Sequence, residues 1–180
     1  MRIIGGEWGG RKINPPSKMP YTRPTTDIAK EGLFNILESN RGIDGLKTLD
    51  LFGGTGCISF ELASRGATDL TIVEKDSQML AFIRKTAETL GIENMKIIPS
   101  DVFRYLKKKE TQFDFIFAGP PYALDTIDLL PKAIEDGGFL NKDGWFVLEH
   151  TPRNKYNQYP LFVSERNYGS TIFSIFINKS

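Results

Sequence analysis

Cysteine and histidine are almost absent from this chain of 180 residues, which has one of each, Cys57 and His150. A single cysteine cannot form a disulfide within the chain, and these two side chains alone cannot make a Cys/His metal site. We therefore expect no metal centre, a small packed residue at Cys57, and a structural or surface histidine at His150.

Long hydrophobic runs are also missing. No apolar stretch approaches the 18 residues that a membrane-spanning helix needs, although 40% of the residues are hydrophobic. The amino terminus is polar and glycine-rich, which is not typical of a signal peptide. We therefore expect a cytoplasmic monomer with no membrane partner. The length and the hydrophobic content predict one domain with a sizeable core.

Charge of one sign is not in excess, because 23 Lys and Arg residues face 22 Asp and Glu residues. This balance argues against a generally basic nucleic-acid-binding protein. The distribution is uneven: residues 1–30 hold six bases and two acids, a net charge of +4, and the rest holds 17 bases and 20 acids, a net charge of −3. A basic arm on a mildly acidic body indicates a polyanionic partner that binds the arm. A solvated terminal segment is the alternative.

The arm is predicted to be a short hairpin over residues 1–13, with Trp8 in its glycine-rich turn. A proline-rich linker follows, so we divide the chain into an arm and linker over 1–24 and a main domain over 25–180. Trp8 either stacks on a base or packs the arm onto the main domain. The candidates for contacts with nucleic acid are Arg2, Trp8, Arg11, Lys12, Arg23 and Thr25. Removing residues 1–24 should weaken this binding and leave cofactor binding intact.

The main domain is organised around residues 47–56, where an apolar run ends in an acid and a glycine turn. Apolar residues at helical spacing follow, so the order is strand, tight turn, helix. Glycines let the backbone approach a ligand, and the helix start offers unpaired N–H groups. The third glycine of the dinucleotide fingerprint is missing, because Ser59 follows instead. The next apolar strand ends in Glu74, an acid placed to bind ribose hydroxyls.

Strands alternate with helices from residue 47 to residue 149, and Asn167-Tyr168-Gly169 joins two strand-like runs at the end. This order predicts an α/β fold: a mostly parallel twisted sheet with helices on both faces and an antiparallel C-terminal hairpin. Such sheets bind ligands at the carboxyl ends of their strands. Asp50, Glu74 and Asp101 stand at these ends. They suit the amino group, ribose and adenine amine of a nucleoside better than a pyrophosphate.

The fourth strand runs into Gly119-Pro120-Pro121-Tyr122, which resembles the Asn/Asp-Pro-Pro-aromatic motif of S-adenosylmethionine-dependent amino-methyltransferases. With the glycine turn, Glu74 and the opening patterns at residues 2–12 and 22–37, the chain is similar to the RsmD-type 16S ribosomal RNA (guanine-N2) methyltransferases. The resemblance covers nearly the whole chain. Its opening pattern is the most specific part, because other methyltransferases lack it.

The resemblance implies a Rossmann-like class I methyltransferase fold, S-adenosylmethionine as methyl donor, and one guanine of 16S rRNA, naked or in an assembling small subunit, as the target. It implies cofactor contacts from Asp50, Phe52, Gly53, Gly54, Thr55, Gly56, Glu74, Lys75, Asp101 and Val102. It assigns the target-base pocket and the catalytic role to Gly119, Pro120, Pro121 and Tyr122. Tyr122 would stack on the flipped base.

One position departs from this family pattern, since Gly119 stands where an acid or amide accepts a hydrogen bond from the target amine. Either backbone carbonyls orient the amine alone, or a nearby acid such as Asp125 replaces the missing one, or the chain binds cofactor and RNA without methylating. The alternatives to an active guanine-N2 methyltransferase are therefore a non-catalytic RNA-binding or ribosome-assembly module and an adenine-N6 methyltransferase. A nicotinamide-dependent oxidoreductase is disfavoured.

Overall fold

One seven-stranded sheet, with helices on both faces, forms the protein in a computed structural model that describes residues 1–19, 24–108 and 111–180. The helices are α1 (Asp27–Asn40), α2 (Cys57–Ser64), α3 (Ser77–Leu90), α4 (Val102–Leu106) and α5 (Leu130–Asp136), with a 3₁₀ turn at Ile127–Leu129. The strands are β1 (Lys47–Leu51), β2 (Asp69–Glu74), β3 (Met95–Pro99), β4 (Phe113–Ala118), β5 (Leu140–His150), β6 (Phe162–Tyr168) and β7 (Thr171–Ile177). No helix in the described ranges has the length and apolar character to cross a membrane.

The strand order is β3-β2-β1-β4-β5-β7-β6. Strands β1 to β5 are parallel, whereas β7 is antiparallel to both β5 and β6. The predicted fold class, a mostly parallel sheet with an antiparallel C-terminal hairpin, is therefore confirmed. The strand order changes direction between β1 and β4, because β2 and β3 follow on one side of this point and β5 on the other. A ligand crevice forms at such a point, since the flanking loops diverge there.

Side chains of β4 are buried on both faces of the sheet. Phe115 and Phe117 join a cluster with α1 and α2, whereas Ile116 and Ala118 join a cluster with α4 and α5 on the opposite face. Successive strand residues point to opposite faces, so a continuous apolar run is what a strand covered on both sides requires.

The N-terminal hairpin, residues 1–13, packs against the main domain. Arg2 and Lys12 form a single antiparallel bridge, and Ile3 and Ile13 are buried with residues of β2, α2 and α3. Trp8 is half-buried against the same cluster, and its backbone N–H donates to Ser64 Oγ at 2.9 Å. These contacts are those of a Trp8 that packs the hairpin onto the main domain.

A buried carboxylate on α2 anchors this hairpin. Glu61 is fully buried and accepts hydrogen bonds from the backbone N–H groups of Ile4, at 2.9 Å, and Gly5, at 3.2 Å. Lys30 Nζ lies 3.9 Å and Arg65 Nε 3.6 Å from its oxygens. Because a buried charge is costly unless it is paired and hydrogen-bonded, these partners make the hairpin part of the folded unit.

Candidate active site

A cleft of about 930 Å³ opens at the carboxyl ends of the parallel strands. Its walls come from the loops after β1, β2, β3 and β4 and from the last residues of β5. Every predicted cofactor and pocket residue except Gly56 lines it: Asp50, Phe52, Gly53, Gly54, Thr55, Glu74, Lys75, Asp101, Val102, Gly119, Pro120, Pro121 and Tyr122. The structure therefore brings together residues that are as far apart in the chain as Asp50 and Tyr122.

The turn after β1 brings backbone, not side chains, to the cleft. Phe52 has a φ of 60° and Gly54 a φ of 56°, so the chain leaves the strand through two left-handed residues. A Cβ added at Gly53 would lie 2.4 Å from Ile72 Cγ1, so only glycine fits against β2 there. Gly56 is not among the lining residues; it is the N-cap residue of α2 and has a φ of 78°.

Glu74, at the tip of β2, is held in one orientation by backbone donors. Gly54 N–H donates to Oε2 at 2.6 Å, and the N–H groups of Lys75 and Asp76 donate to Oε1 at 2.8 and 2.9 Å. Three such bonds order a carboxylate before a ligand arrives. Glu74 therefore links the glycine turn to β2. Its carboxylate lines the cleft in an orientation that is already fixed for accepting hydrogen bonds from a ligand.

Asp50 is the buried acid of the cleft. Ser59 Oγ donates to its Oδ2 at 2.7 Å, and the residue is only 2% exposed. Burial raises the pKa of Asp50 to about 7; the Ser59 hydrogen bond opposes this rise, and the charges of Glu74 and Glu149 add to it. A cationic ligand would reverse the shift, because an opposite charge favours the ionised carboxylate.

Asp101 begins the short helix α4. Its side chain caps the helix by accepting from Arg104 N–H at 3.1 Å, and the residue is exposed at the rim of the cleft. The adjacent Val102 is buried and contributes apolar lining. One acid beside an apolar wall suits the edge and the face of a purine ring.

The charges of the cleft favour a cation over a polyphosphate. Five carboxylates line it, from Asp50, Glu74, Asp76, Asp101 and Glu149. Among the described lining residues Lys75 is the single base. No group of acids, cysteines or histidines in the described ranges is arranged to hold a metal ion. The residues present therefore fit S-adenosylmethionine, which carries a sulfonium and an ammonium group beside a nucleoside.

The proline pair lines the cleft directly after β4. Gly119 directly follows β4, and its N–H donates to Leu51 O at 3.3 Å. Tyr122 is half-buried on the cleft, with its hydroxyl 3.2 Å from Thr171 Oγ1 at the start of β7. The ring is therefore positioned by the C-terminal hairpin and presents aromatic surface beside Pro120 and Pro121.

Glu149 is the functional candidate that the sequence analysis missed. It lies at the end of β5, lines the cleft and is only 3% exposed. Thr25 Oγ1 donates to its Oε1 at 2.7 Å. The missed signal was its place as an acid at the carboxyl end of a parallel strand, the rule that identified Asp50 and Glu74. Asp125, the replacement acid suggested by the sequence, is exposed and is not a lining residue of the cleft.

The predicted nucleic-acid contacts fall into two groups. Thr25 lines the cleft, whereas Arg2, Arg11 and Lys12 are exposed on the docked hairpin. Arg2 Nε lies 3.3 Å from Asp27 Oδ2 at the start of α1, two residues after Thr25. The hairpin is thus next to the segment that borders the cleft. Arg23 lies outside the described residues.

His150 and Cys57 are both buried side chains. His150 is fully buried, with Nδ1 2.8 Å from Thr151 O and Nε2 2.7 Å from Ser174 Oγ. The carbonyl requires the proton on Nδ1, so Nε2 accepts from the serine. Burial lowers the pKa of His150 and raises the pKa of the Cys57 thiol to about 11. Both groups are therefore neutral near pH 7.

A family model described as Conserved hypothetical protein 95 matches residues 1–177. Ribosomal RNA small subunit methyltransferase D of Haemophilus influenzae is 36% identical over 169 residues, which cover 92% of this chain and 83% of that protein. The protein of the same name from Escherichia coli (strain K12) is 33% identical over 154 residues, with 86% and 76% covered.

Among solved structures, the putative methyltransferase yhhF from Escherichia coli superposes with a TM-score of 0.88 and 27% identity. The alignment covers all of this chain and 98% of that one. The N-terminal hairpin and the C-terminal hairpin are therefore both included in the shared fold.

Proposed function

Because the chain belongs to the RsmD family of rRNA methyltransferases, we propose that it transfers a methyl group from S-adenosylmethionine to the exocyclic N2 amine of a guanine in 16S rRNA. The coarser activity, methylation of rRNA, follows from the family. We propose the target base, the acceptor atom and the role of each residue from the geometry of the cleft.

One observation supports this proposal most strongly: an acid-lined nucleoside cleft and the Pro120-Pro121-Tyr122 loop share a single cavity. Carboxylates at the ends of β1, β2 and β5 favour a cationic donor. The loop after β4 adds flat apolar and aromatic surface, which suits a base turned out of its stack. A donor and an unstacked acceptor base can therefore meet in the same cleft.

Each residue has a separate task in this proposal. Glu74 accepts from the ribose hydroxyls, Asp50 faces the methionine ammonium, and Asp101 with Val102 contacts the adenine. S-adenosylmethionine supplies an electrophilic methyl group when bound. Tyr122 stacks on the target guanine and excludes water from it, so positioning accounts for much of the rate. The exposed cations of the hairpin bind RNA phosphates.

The deciding experiment is transfer of labelled methyl from S-adenosylmethionine to small ribosomal subunits that lack the modification, followed by digestion to nucleosides. We expect the label in N2-methylguanosine. Label in N6-methyladenosine would assign the adenine alternative, and no label in any nucleoside would contradict a methyltransferase acting on this particle. Naked 16S rRNA, assayed in parallel, tells which form is the substrate.

Gly119 favours a second candidate, a module that binds cofactor and RNA without methylating. Glycine has no side chain to accept a hydrogen bond from the target amine. This candidate predicts that the unaltered protein binds S-adenosylmethionine and small subunits but leaves them unlabelled. The same experiment therefore separates the two candidates.

A further inference from the structure

Gly119, which directly follows β4, lies beside Glu149 on the paired strand β5. Ala118, the last residue of β4, is in register with Leu148, so Gly119 and Glu149 both follow one step further toward the cleft. In-register residues on paired strands direct their side chains to the same face. A side chain at position 119 would therefore point to the place where Glu149 projects.

The built geometry agrees with this register. A Cβ added at Gly119 would lie 3.7 Å from Glu149 Oε2. The other oxygen, Oε1, accepts from Thr25 Oγ1 at 2.7 Å, so the carboxylate is oriented with Oε2 toward Gly119. The group that residue 119 lacks is thus present a few ångströms away, on the adjacent strand.

We propose that Glu149, held by Thr25 and facing Gly119, is the carboxylate that accepts the hydrogen bond from the target amine. The inference rests on the proposed function and names the acceptor within that site. A carboxylate oxygen accepts hydrogen bonds, so it selects a base with an exocyclic N–H and directs the nitrogen lone pair away from itself. Glycine at position 119 leaves room for the amine to reach it.

The same geometry predicts that Gly119→Asp gives no large gain in the unaltered background. The added Cβ would lie 3.0 Å from Phe117 Cε1, so the ring would have to move. The new carboxylate would also meet Glu149, and two carboxylates that share a site disfavour ionisation of both. The substitution becomes useful once the carboxylate at position 149 has been removed.

The test compares nucleosides that differ only in the amine. Binding of guanosine and of inosine, which lacks the N2 amine, is measured by NMR titration in the presence of S-adenosylhomocysteine. We expect the unaltered protein to prefer guanosine and Glu149→Ala, which removes both acceptor oxygens, to lose most of this preference. Preference retained in Glu149→Ala, or absent from the unaltered protein, overturns the inference. Glu135→Ala, at an exposed acid on α5, is the matched control and should keep the preference.

Rescue separates a role in recognition from a merely structural one. Glu149→Ala should lower the methyl-transfer rate to small subunits roughly 100–1000-fold, the usual cost of losing one oriented partner. Adding Gly119→Asp to Glu149→Ala should restore part of the rate and the preference for guanosine. A loss that Gly119→Asp does not rescue contradicts the inference. Failure of the proposed function is distinct: the unaltered protein would then leave small subunits unlabelled, whatever its nucleoside preference.

Discussion

The protonation of Asp50 should depend on whether a cationic ligand occupies the cleft. Its pKa is raised to about 7 by burial, so between about pH 4 and 7 the folded state binds a proton that the unfolded chain releases. The free energy of unfolding therefore decreases as the pH rises through this window. A cationic ligand favours the ionised form and lowers the pKa.

Binding of S-adenosylmethionine should therefore release a proton near neutral pH, and the affinity should rise as the pH increases to about 7 and then level off. Calorimetry in two buffers with different ionisation enthalpies measures the proton count. Asp50→Asn should abolish both the proton release and this rise. An affinity of the unaltered protein that is flat from about pH 5 to 8 would contradict the prediction.

Two substitutions of Tyr122 separate the stacking of its ring from the contact of its hydroxyl with Thr171. Tyr122→Phe removes the contact with Thr171 Oγ1 and retains the ring, so it should change methyl transfer less than tenfold. Tyr122→Ala removes the stacking surface, which is worth about 1–3 kcal/mol per base. Its transfer rate should fall roughly 10- to 100-fold, with the affinity for S-adenosylhomocysteine unchanged. Equal effects of the two variants would assign Tyr122 to anchoring instead.

The N-terminal hairpin is an element whose charges can be tested without removing it. Deleting residues 1–24 is not a clean test, because it also removes Ile3 and Ile13 from the core and leaves Glu61 buried without two of its donors. The deletion should unfold part of the main domain and thereby disturb cofactor binding as well. The structure therefore changes the experiment that the sequence suggested.

Replacing the exposed cations alone keeps this packing. The double variant Arg11→Gln with Lys12→Gln should weaken RNA binding and lower the slope of log affinity against log salt by about 2, one for each lost phosphate contact. Affinity for S-adenosylhomocysteine should be unchanged. Lys142→Gln with Lys179→Gln, two exposed lysines, is the matched control. A salt slope that is the same in both double variants would contradict the assignment of the hairpin.

At the scale of the whole molecule, a ligand bound in the cleft should raise the free energy of unfolding. The cleft joins the loops after four strands with the end of β5, so a ligand bound there stabilises the folded state against the unfolded chain. S-adenosylhomocysteine at about 100 times its Kd should add about 2.7 kcal/mol to the free energy of unfolding. For a chain of this length the melting temperature should rise by about 5–10 °C.

Differential scanning calorimetry measures this shift, and NADH at the same concentration is the control. The sequence disfavours a dinucleotide because the third glycine of the fingerprint is missing, and the cleft adds five carboxylates that oppose a pyrophosphate. A larger shift with NADH than with S-adenosylhomocysteine would contradict the proposed cofactor.

Local patterns were sufficient to predict most elements of the fold. The glycine turn, the acids at or near the ends of three strands and the alternation of strands and helices depend on neighbours within about ten residues, and all of them are present in the structure. The ends of the strands are not set by such local patterns: β1 ends at Leu51 because Phe52 takes a left-handed φ, and β5 starts at Leu140 and continues to His150. Pairing with neighbouring strands decides such ends.

By itself the sequence determined the fold class, the family and the two loops, at residues 52–55 and 119–122, that line the cleft. Each of these depends on a short run of residue types at a fixed spacing. Only the tertiary structure decided that the hairpin is docked on Glu61 and that Glu149 faces Gly119. Thr25 and Glu149 are 124 residues apart, and Gly119 meets Glu149 through the register of β4 with β5. Contacts of this kind arise from strand pairing and long-range packing, which no local pattern encodes.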